Sequence, residues 1–203
     1  MLANVCGIVL AAGVASRFGS DKRQRQFADG TIMLQRVLDS LKPHCEDVIV
    51  VIGQHDQVAC WQPVCSGARV LRAEDSSMGM GRSLAHGVQA AKAADGVLVT
   101  LADKPFISTN SYRLVRKAMR PGRISVPVCQ GQNGHPVGFA ALFFDELCAL
   151  QAGEEGASPT VRKHRAVVDR VAIDDPAVLM DIDTPDDFTA LTERFDRSSS
   201  TSG

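Results

Sequence analysis

Short apolar runs alternate along this chain with segments of helical periodicity, and this alternation does most to restrict its fold. Such runs, bounded by turn residues, are typical of buried strands. They are Val5 to Leu10, Val48 to Ile52, Val97 to Leu101 and Ile124 to Val128, with a weaker candidate at Ala68 to Leu71. Apolar strands separated by helices favour a parallel sheet covered on both faces. The pattern therefore predicts a three-layer, Rossmann-like α/β fold with a mostly parallel sheet.

Helical spacing accounts for much of the chain between and after these strands. The predicted helices are Met33 to Leu41, Ser83 to Ala94, Asn110 to Met119, Leu142 to Leu150 and Pro185 to Phe195. We expect Thr31 to cap the first of them, and Thr109 or Asn110 to cap the third. The stretch Gly131 to Ala140 is rich in Gly, His and Pro, and it predicts an irregular excursion from the sheet.

The 203 residues contain neither an internal repeat nor an interdomain linker, so we predict one domain over 1–195. The polar end, 196–203, predicts a disordered tail. A net charge of −1 gives no argument for a nucleic-acid partner, and no apolar run approaches the roughly 20 residues of a membrane span. Six scattered cysteines without a C-x-x-C pair favour unpaired thiols and a cytoplasmic protein.

The segment LAAGVASRFGSDK, residues 10–22, follows the first predicted strand directly. Small residues expose backbone amides to a ligand, and Arg17 and Lys22 add positive charge a few residues on. The spacing matches neither a Walker loop nor a dinucleotide fingerprint. A tight turn without any ligand is the alternative for LAAG alone. The extended segment favours a polyphosphate site built on Leu10, Ala11, Ala12 and Gly13.

A carboxylate follows another predicted strand, since VLVTLADKP places Asp103 at the end of an apolar run. Ligands collect at the carboxyl ends of strands in open α/β sheets, and Mg²⁺ takes few protein carboxylates beside water and phosphate oxygens. Asp103 is therefore a candidate metal ligand, with a turn cap before Pro105 as the alternative. We assign no role to Lys104.

Four acids lie within eight residues in the segment DIDTPDDF, residues 181–188. Asp186 and Asp187 suit the first turn of a helix, and Thr184 with Pro185 supplies an N-cap followed by a proline at the first helical position. The helix start does not explain the two acids at 181 and 183. Side-chain acids also serve caps and turns, so a local role for this pair stays open.

Two further motifs contain residues suited to ligand contact. One is Gly134-His135-Pro136, in which the proline restricts the histidine to an extended or turn conformation. A lone histidine of this kind is more often structural than catalytic. The other is GMGRSL, in which Gly79 precedes a predicted helix and Ser83 lies in its first turn; the amides of a helix N-terminus suit a phosphate.

Together these motifs resemble the MobA-like nucleotidyltransferases, and the resemblance covers nearly all of residues 5–190. In the family signature L-x-x-G-x-[SA]-x-R-[MF]-G-x-x-K, seven positions match: Leu10, Gly13, Ala15, Arg17, Phe18, Gly19 and Lys22. The resemblance implies that Asp103 and Asp183 bind the metal and that Gly79 and Ser83 hold base and ribose. It also implies that Gly134, His135 and Pro136 lie on the acceptor side. One departure is Ser158, which stands where relatives commonly have an arginine.

The resemblance implies an Mg²⁺-dependent transfer of a nucleoside monophosphate from an NTP to the terminal phosphate of molybdopterin, with release of pyrophosphate. Arg17, Lys22, Asp103 and Asp183 would be the catalytic residues. LAAG with DIDTPDD is typical of the CTP-using branch, and GTP is the alternative. A molybdenum hydroxylase would receive the product. Two other hypotheses are a sugar- or polyol-phosphate nucleotidyltransferase and a non-catalytic carrier of the cofactor.

Overall fold

The computed structural model describes residues 1–13, 21–150, 153 and 155–200, with side chains described as far as residue 195. Its strands are β1 Val5–Ala11, β2 Asp47–Ile52, β3 Arg69–Arg72, β4 Gly96–Leu101, β5 Ile124–Cys129, β6 Gln132–Asn133, β7 Val137–Ala140 and β8 Val168–Ala172. Its α-helices are α1 Met33–Leu41, α2 Val58–Trp61, α3 Met80–Ala90, α4 Thr109–Ala118, α5 Phe144–Cys148, α6 Ser158–Lys163 and α7 Pro185–Ser200. Among these, no helix is long and apolar enough to cross a membrane.

All eight strands form one sheet in the order β3-β2-β1-β4-β7-β5-β6, with β8 also paired to β5. The pairs β1–β2, β1–β4, β2–β3 and β5–β8 are parallel. The two ladders of β7, with β4 and with β5, are antiparallel. The predicted α/β fold with a mostly parallel sheet is confirmed.

Consecutive residues of β1 show how the sheet is covered. Gly7 faces α1, where a Cβ would lie 3.0 Å from Leu41, whereas the neighbouring Ile8 lies against Gly87 of α3. Because successive residues of a strand point to opposite faces, α1 and α3 must cover opposite faces of the sheet. Gly87 has no room for a side chain, since a Cβ there would come within 2.9 Å of Ile8. The core between the layers includes the fully buried Tyr112 and Phe139.

The prediction of an irregular excursion over Gly131 to Ala140 was wrong. These residues contain β6 and β7, and β7 is inserted between β4 and β5. Gly138, which suggested irregularity, instead permits close packing, because a Cβ there would lie 2.8 Å from Met119. The strand β8 was not predicted, since two of the five residues in its sequence VDRVA are charged.

Two of the three predicted helix caps were also wrong. Ile32 occupies the N-cap of α1 without a side-chain hydrogen bond, and Ser108 rather than Thr109 or Asn110 caps α4 by accepting from the Ser111 amide. The second predicted helix, Ser83 to Ala94, has different bounds in the structure, where α3 begins at Met80 and ends at Ala90. Leu142 to Leu150 divides into a 3₁₀ turn, Ala141–Phe143, and the short α5. α7 continues to Ser200, and the predicted domain limit at 195 stays a prediction.

Candidate active site

A cleft of about 360 Å³ opens where β1 and β4 end, and we call it the charged cleft. Parallel pairing brings these strand ends together, since Leu10 is in register with Leu101 and Ala11 with Ile52. The residues that line it are Leu10, Ala11, Ala12, Gly13, Lys22, Arg23, Ser76, Ser77, Gly79, Met80, Ser83, Leu101, Ala102, Asp103 and Asp183. The structure thus brings together nearly every residue predicted for a nucleotide site.

Lys22 is the ionic centre of the charged cleft. Its Nζ lies 2.9 Å from Asp103 Oδ2 and 3.2 Å from Asp183 Oδ1, and it donates to the Ile182 carbonyl at 2.8 Å. Only 15% of the side chain is exposed. Burial opposes the charged form, but the two carboxylates outweigh it and raise the pKa of Lys22 above its ordinary value. The ammonium is therefore charged at neutral pH.

The two carboxylates around Lys22 suit a divalent cation. Asp103 Oδ1 is buried without a hydrogen-bond partner among the described residues, so it has a lone pair to offer. Asp183 is 60% exposed and can turn toward a ligand. No group of three or more His, Cys, Asp or Glu in the described residues could hold a metal. Two carboxylates with water and phosphate oxygens are a donor set that Mg²⁺ accepts.

Arg23, next to Lys22 in the chain, is held by protein groups instead. Its guanidinium pairs with Asp21 at 2.7 Å and with Asp56 at 2.6 Å, and it donates to the Ala11 carbonyl at 2.6 Å. It also lies over the Trp61 ring, 4.3 Å from the centroid. These bonds raise the pKa of Arg23 and lower that of Asp56. Arg23 therefore anchors the loop to the end of β1.

The start of α3 forms another wall of the charged cleft. Gly79 precedes the helix with φ +112°, and a Cβ there would lie 2.5 Å from the Gly153 carbonyl oxygen, so only glycine fits. Ser83 lies one turn into the helix, nearly buried at the cleft surface. The positive end of the helix dipole is thus directed at the cleft, where it favours an anion.

A second pocket of about 460 Å³ adjoins this cleft, and we call it the apolar pocket. Leu10, Met80 and Leu101 line both. Its other apolar residues are Leu84, Val99, Val126, Val137, Phe139, Ala157 and Val161, and its polar ones are Asn133, His135, Glu155, Ser158 and Arg162, with Gly134 between them. Of the predicted acceptor-side motif, the structure places Gly134 and His135 here, whereas Pro136 is not among the described lining residues.

His135 is kept neutral by its surroundings. Burial, together with the nearby Lys104 charge, lowers its pKa to about 4, against smaller opposing effects of Asp181 and the Val99 backbone. Its Nδ1 is buried and has no partner among the described residues. The histidine therefore offers the pocket a neutral ring at pH 7 and is unsuited to act as a cation there.

The acidic segment at the start of α7 divides into two parts. Thr184 and Asp187 form a reciprocal cap: the Asp187 amide donates to Thr184 Oγ1 at 3.1 Å, and Asp187 Oδ2 accepts from the Thr184 amide at 2.8 Å. This confirms Thr184 as the predicted cap. Asp183 instead belongs to the charged cleft, and Asp181 forms an ion pair with Lys104.

Arg17 lies outside the described residues, so its predicted contact with phosphate stays a prediction. Three features of the site were not predicted: the structural role of Arg23, the serines at 76 and 77, and the apolar wall of the second pocket. The seven wall residues come from α3, from α6 and the residue before it, and from β4, β5 and β7, and each looks like an ordinary core residue in the sequence. In the sequence, Asp21, two residues before Arg23, was the signal that could have indicated the ion pair between them.

An open, mostly parallel sheet with a charged cleft at its strand ends defines an α/β nucleotide-binding protein. The chain belongs to the MobA-like NTP transferase family, whose domain matches residues 7–168. It is thus a nucleotidyltransferase of that family.

Individual relatives cover almost the whole chain. Nicotine blue oxidoreductase of Paenarthrobacter nicotinovorans is 28% identical over 195 residues, covering 92% of this chain and 96% of the relative. Molybdenum cofactor cytidylyltransferase of Escherichia coli K12 is 27% identical over 195 residues, with coverage of 93% and 95%. Rv0371c of Mycobacterium tuberculosis H37Rv superposes with a TM-score of 0.78 at 27% identity, covering 94% and 99%. Rv0371c has also been solved in complex with manganese.

Proposed function

We propose that this protein transfers a nucleoside monophosphate, CMP in preference to GMP, from an NTP to the terminal phosphate of a molybdopterin-type acceptor. One observation carries the proposal: Lys22 Nζ, Asp103 and Asp183 meet in a charged cleft that adjoins an apolar pocket. A cleft with a cation and two carboxylates suits a metal-bound triphosphate, and the adjoining pocket suits a ring. The family and the cytidylyltransferase relative support the same reaction.

Transfer requires that an oxygen of the acceptor phosphate attack the α-phosphorus of the NTP while the bond to pyrophosphate breaks. The acceptor phosphate is already anionic at neutral pH, so the reaction needs no strong general base. The barrier lies in bringing two anions together. Lys22 would exchange its carboxylate contacts for phosphate oxygens and neutralise the charge that develops there. The backbone at Ala11 to Gly13 and the start of α3 would hold the nucleotide.

Asp103 and Asp183 would hold the metal ion, and we propose Mg²⁺. When bound, such an ion would stabilise the negative charge that develops on the leaving pyrophosphate. Asp103 Oδ1 supports a ligand at this position, since it has no partner within the described ranges and a buried carboxylate oxygen left unpaired is costly. The manganese complex of the similar Rv0371c agrees with a divalent ion.

The wall of the second pocket favours a ring-bearing acceptor over a sugar or polyol phosphate. A polyol needs a hydrogen-bond partner for each hydroxyl, whereas Val99, Val126 and Phe139 offer only apolar surface. A pterin ring would make favourable contacts with that apolar surface and with the neutral ring of His135, which lines the same pocket. The product would pass to a molybdenum hydroxylase in the cytoplasm. A non-catalytic carrier of the cofactor would need the apolar pocket but not the charged cleft.

Base choice rests on the turn after β1. Ala12 adds one methyl group relative to the glycine of the GTP-using branch, and a methyl group is worth only about 1–3 kcal/mol in discrimination. We therefore expect CTP to be preferred, with measurable use of GTP.

The test is pyrophosphate release from each of the four NTPs with molybdopterin and Mg²⁺. We expect release that depends on acceptor and metal and is fastest with CTP. Retained molybdopterin binding without release from any NTP would favour the carrier. Faster release with a polyol phosphate as acceptor would overturn the acceptor assignment. Because one relative is named an oxidoreductase, NADH and NADPH oxidation should be followed with nicotine blue in parallel, and turnover there alone would replace the proposal.

A further inference from the structure

The segment 178–183 crosses from the apolar pocket to the charged cleft, and we call it the strap. At its beginning, the His135 amide donates to the Val178 carbonyl at 2.9 Å. At its end, Asp183 lies 3.2 Å from Lys22 Nζ. Between them, the Ile182 amide donates to the Asp103 carbonyl at 3.1 Å. The strap therefore contacts both parts of the candidate site.

Val178 and Leu179 end a 3₁₀ turn, whereas the side chains of the last three strap residues alternate between solvent and core. Asp181 and Asp183 are exposed, whereas Ile182 is fully buried beside Phe27, Met33 and Phe188. In extended backbone, residues i and i+2 share a side, so both carboxylates lie on the same side of the strap. A slip of one residue would exchange the buried isoleucine for a carboxylate and remove Asp183 from the cleft.

A lysine holds each of these carboxylates, but only one of the two lysines faces the cleft. Lys22 contacts Asp183 from within the charged cleft. Lys104 is only 4% exposed and lines neither the charged cleft nor the apolar pocket. It forms an ion pair with Asp181, and its Nζ donates to the Met180 carbonyl at 3.2 Å.

We propose that Lys104 is a positioning residue, which fixes the register of the strap so that Asp183 stays opposite Asp103. A buried lysine is costly to desolvate, and its half-exposed partner Asp181 offsets this cost only in part, so the pair is weak evidence for stability. The best-attested use of such a pair is to specify register. This role matters most when Lys22 turns from Asp183 to a phosphate, because the strap then loses one of its two lysine contacts. The inference rests on the proposed role of Asp183 as a metal ligand.

Lys104→Met tests the proposal, because methionine keeps most of the volume and removes the charge. Hydrogen exchange of the ligand-free protein reports the strap directly. We expect the Ile182 and Asp183 amides to exchange at least tenfold faster in the variant, with amides of β1 unchanged. Mn²⁺ affinity, measured by electron paramagnetic resonance, should fall at least fivefold, and turnover should fall through kcat more than through KM for the NTP. Lys92→Met is the matched control, because Lys92 pairs with Asp145 on the surface.

The double variant Lys104→Met/Asp181→Asn separates positioning from simple charge balance. We expect it to recover thermal stability but neither strap protection nor Mn²⁺ affinity. Wild-type exchange of the strap in Lys104→Met would overturn the proposal, and so would full recovery of Mn²⁺ affinity in the double variant. The hydrogen-exchange result does not depend on the reaction. A protected strap that needs Lys104, in a protein without any NTP turnover, would therefore contradict the proposed function and leave the positioning role intact.

Discussion

The charged cleft and the apolar pocket share Leu10, Met80 and Leu101, yet they recognise ligands by different physics. The charged cleft depends on two carboxylates that converge on the Lys22 Nζ atom. The apolar pocket depends on many small contributions from side chains that would otherwise be core, and its one histidine is held neutral. A phosphate needs a few preorganised charges, whereas a ring needs dry surface of the right shape.

This difference predicts how each region tolerates change. Loss of the Lys22 charge should disable the cleft, because Asp103 and Asp183 would then face an anionic ligand without a compensating cation. Changes at the rim of the apolar pocket should alter binding of the acceptor in small steps. Four experiments would break or sharpen this contrast, and they follow from the largest expected effect to the smallest.

Lys22→Ala should lower kcat/KM by about 10²–10³-fold, because one preorganised charge at a reacting phosphate is worth about 3–4 kcal/mol. Steady-state pyrophosphate release measures the loss, and circular dichroism should show a normally folded variant. Arg25→Ala is the control. Arg25 is exposed and lies three residues after Lys22, and its substitution removes the same positive charge from the loop. Equal losses in both variants would mean that only the overall charge of the loop matters.

His135→Gln should flatten the pH dependence of stability between pH 6.5 and pH 4. The folded protein resists protonation of His135 until about pH 4, whereas the unfolded chain takes up the proton near pH 6.5. The unfolded state thus binds more protons in this window, so wild-type stability is full above pH 6.5 and declines by up to about 3 kcal/mol as the pH falls. Urea unfolding at several pH values measures the slope. His55→Gln is the control, because His55 is exposed. If His135→Gln leaves the slope of unfolding free energy against pH unchanged, the pocket histidine is not held neutral.

Ser158 offers two opposite changes at the rim of the apolar pocket, since it is exposed and lines that pocket. Ser158→Arg should lower the KM for an anionic acceptor about threefold to tenfold, and Ser158→Asp should raise it by a similar factor, as expected for partly screened charges worth about 1 kcal/mol. Initial rates at varied acceptor concentration measure both, and the KM for the NTP should change less than twofold. A change in the KM for the NTP, rather than for the acceptor, would show that the nucleotide and not the acceptor binds beside Ser158. An acid at the first position of α6 should not harm folding.

Thr184→Ala should reduce the free energy of unfolding by about 1 kcal/mol, because it removes the N-cap of α7. Thermal unfolding measures this effect, with Thr189→Ala on the exposed face of α7 as control. Turnover should stay within about twofold of wild type, since Asp187 still accepts from the Asp183 amide when the Thr184 hydroxyl is removed. A tenfold loss of turnover would show that the cap, too, positions the cleft carboxylate.

The local pattern of the sequence predicted much of the fold and of the charged cleft. Apolar runs marked five of the strands, and α1 matched its predicted bounds from Met33 to Leu41. Loop and strand-end chemistry, readable within a few residues, indicated Lys22 and Asp103, whereas only the family resemblance indicated Asp183 as a metal ligand. The cap of α4 and the place of β7 could not be predicted in this way, since Ser108, Thr109 and Asn110 all offer a capping side chain and strand insertion depends on pairing with β4 and β5.

By itself, the sequence determined which residues are able to carry the chemistry: the small residues after β1, the cation at 22 and the acids at 103 and 183. The tertiary structure decided which of them meet. It assigned Arg23 to Asp56, 33 residues away, and Lys104 to Asp181 on the strap. It also turned seven ordinary core residues into the wall of a pocket. The physical reason is that hydrogen bonds and ion pairs need distances near 3 Å, and these are set by the packing of segments distant in the chain.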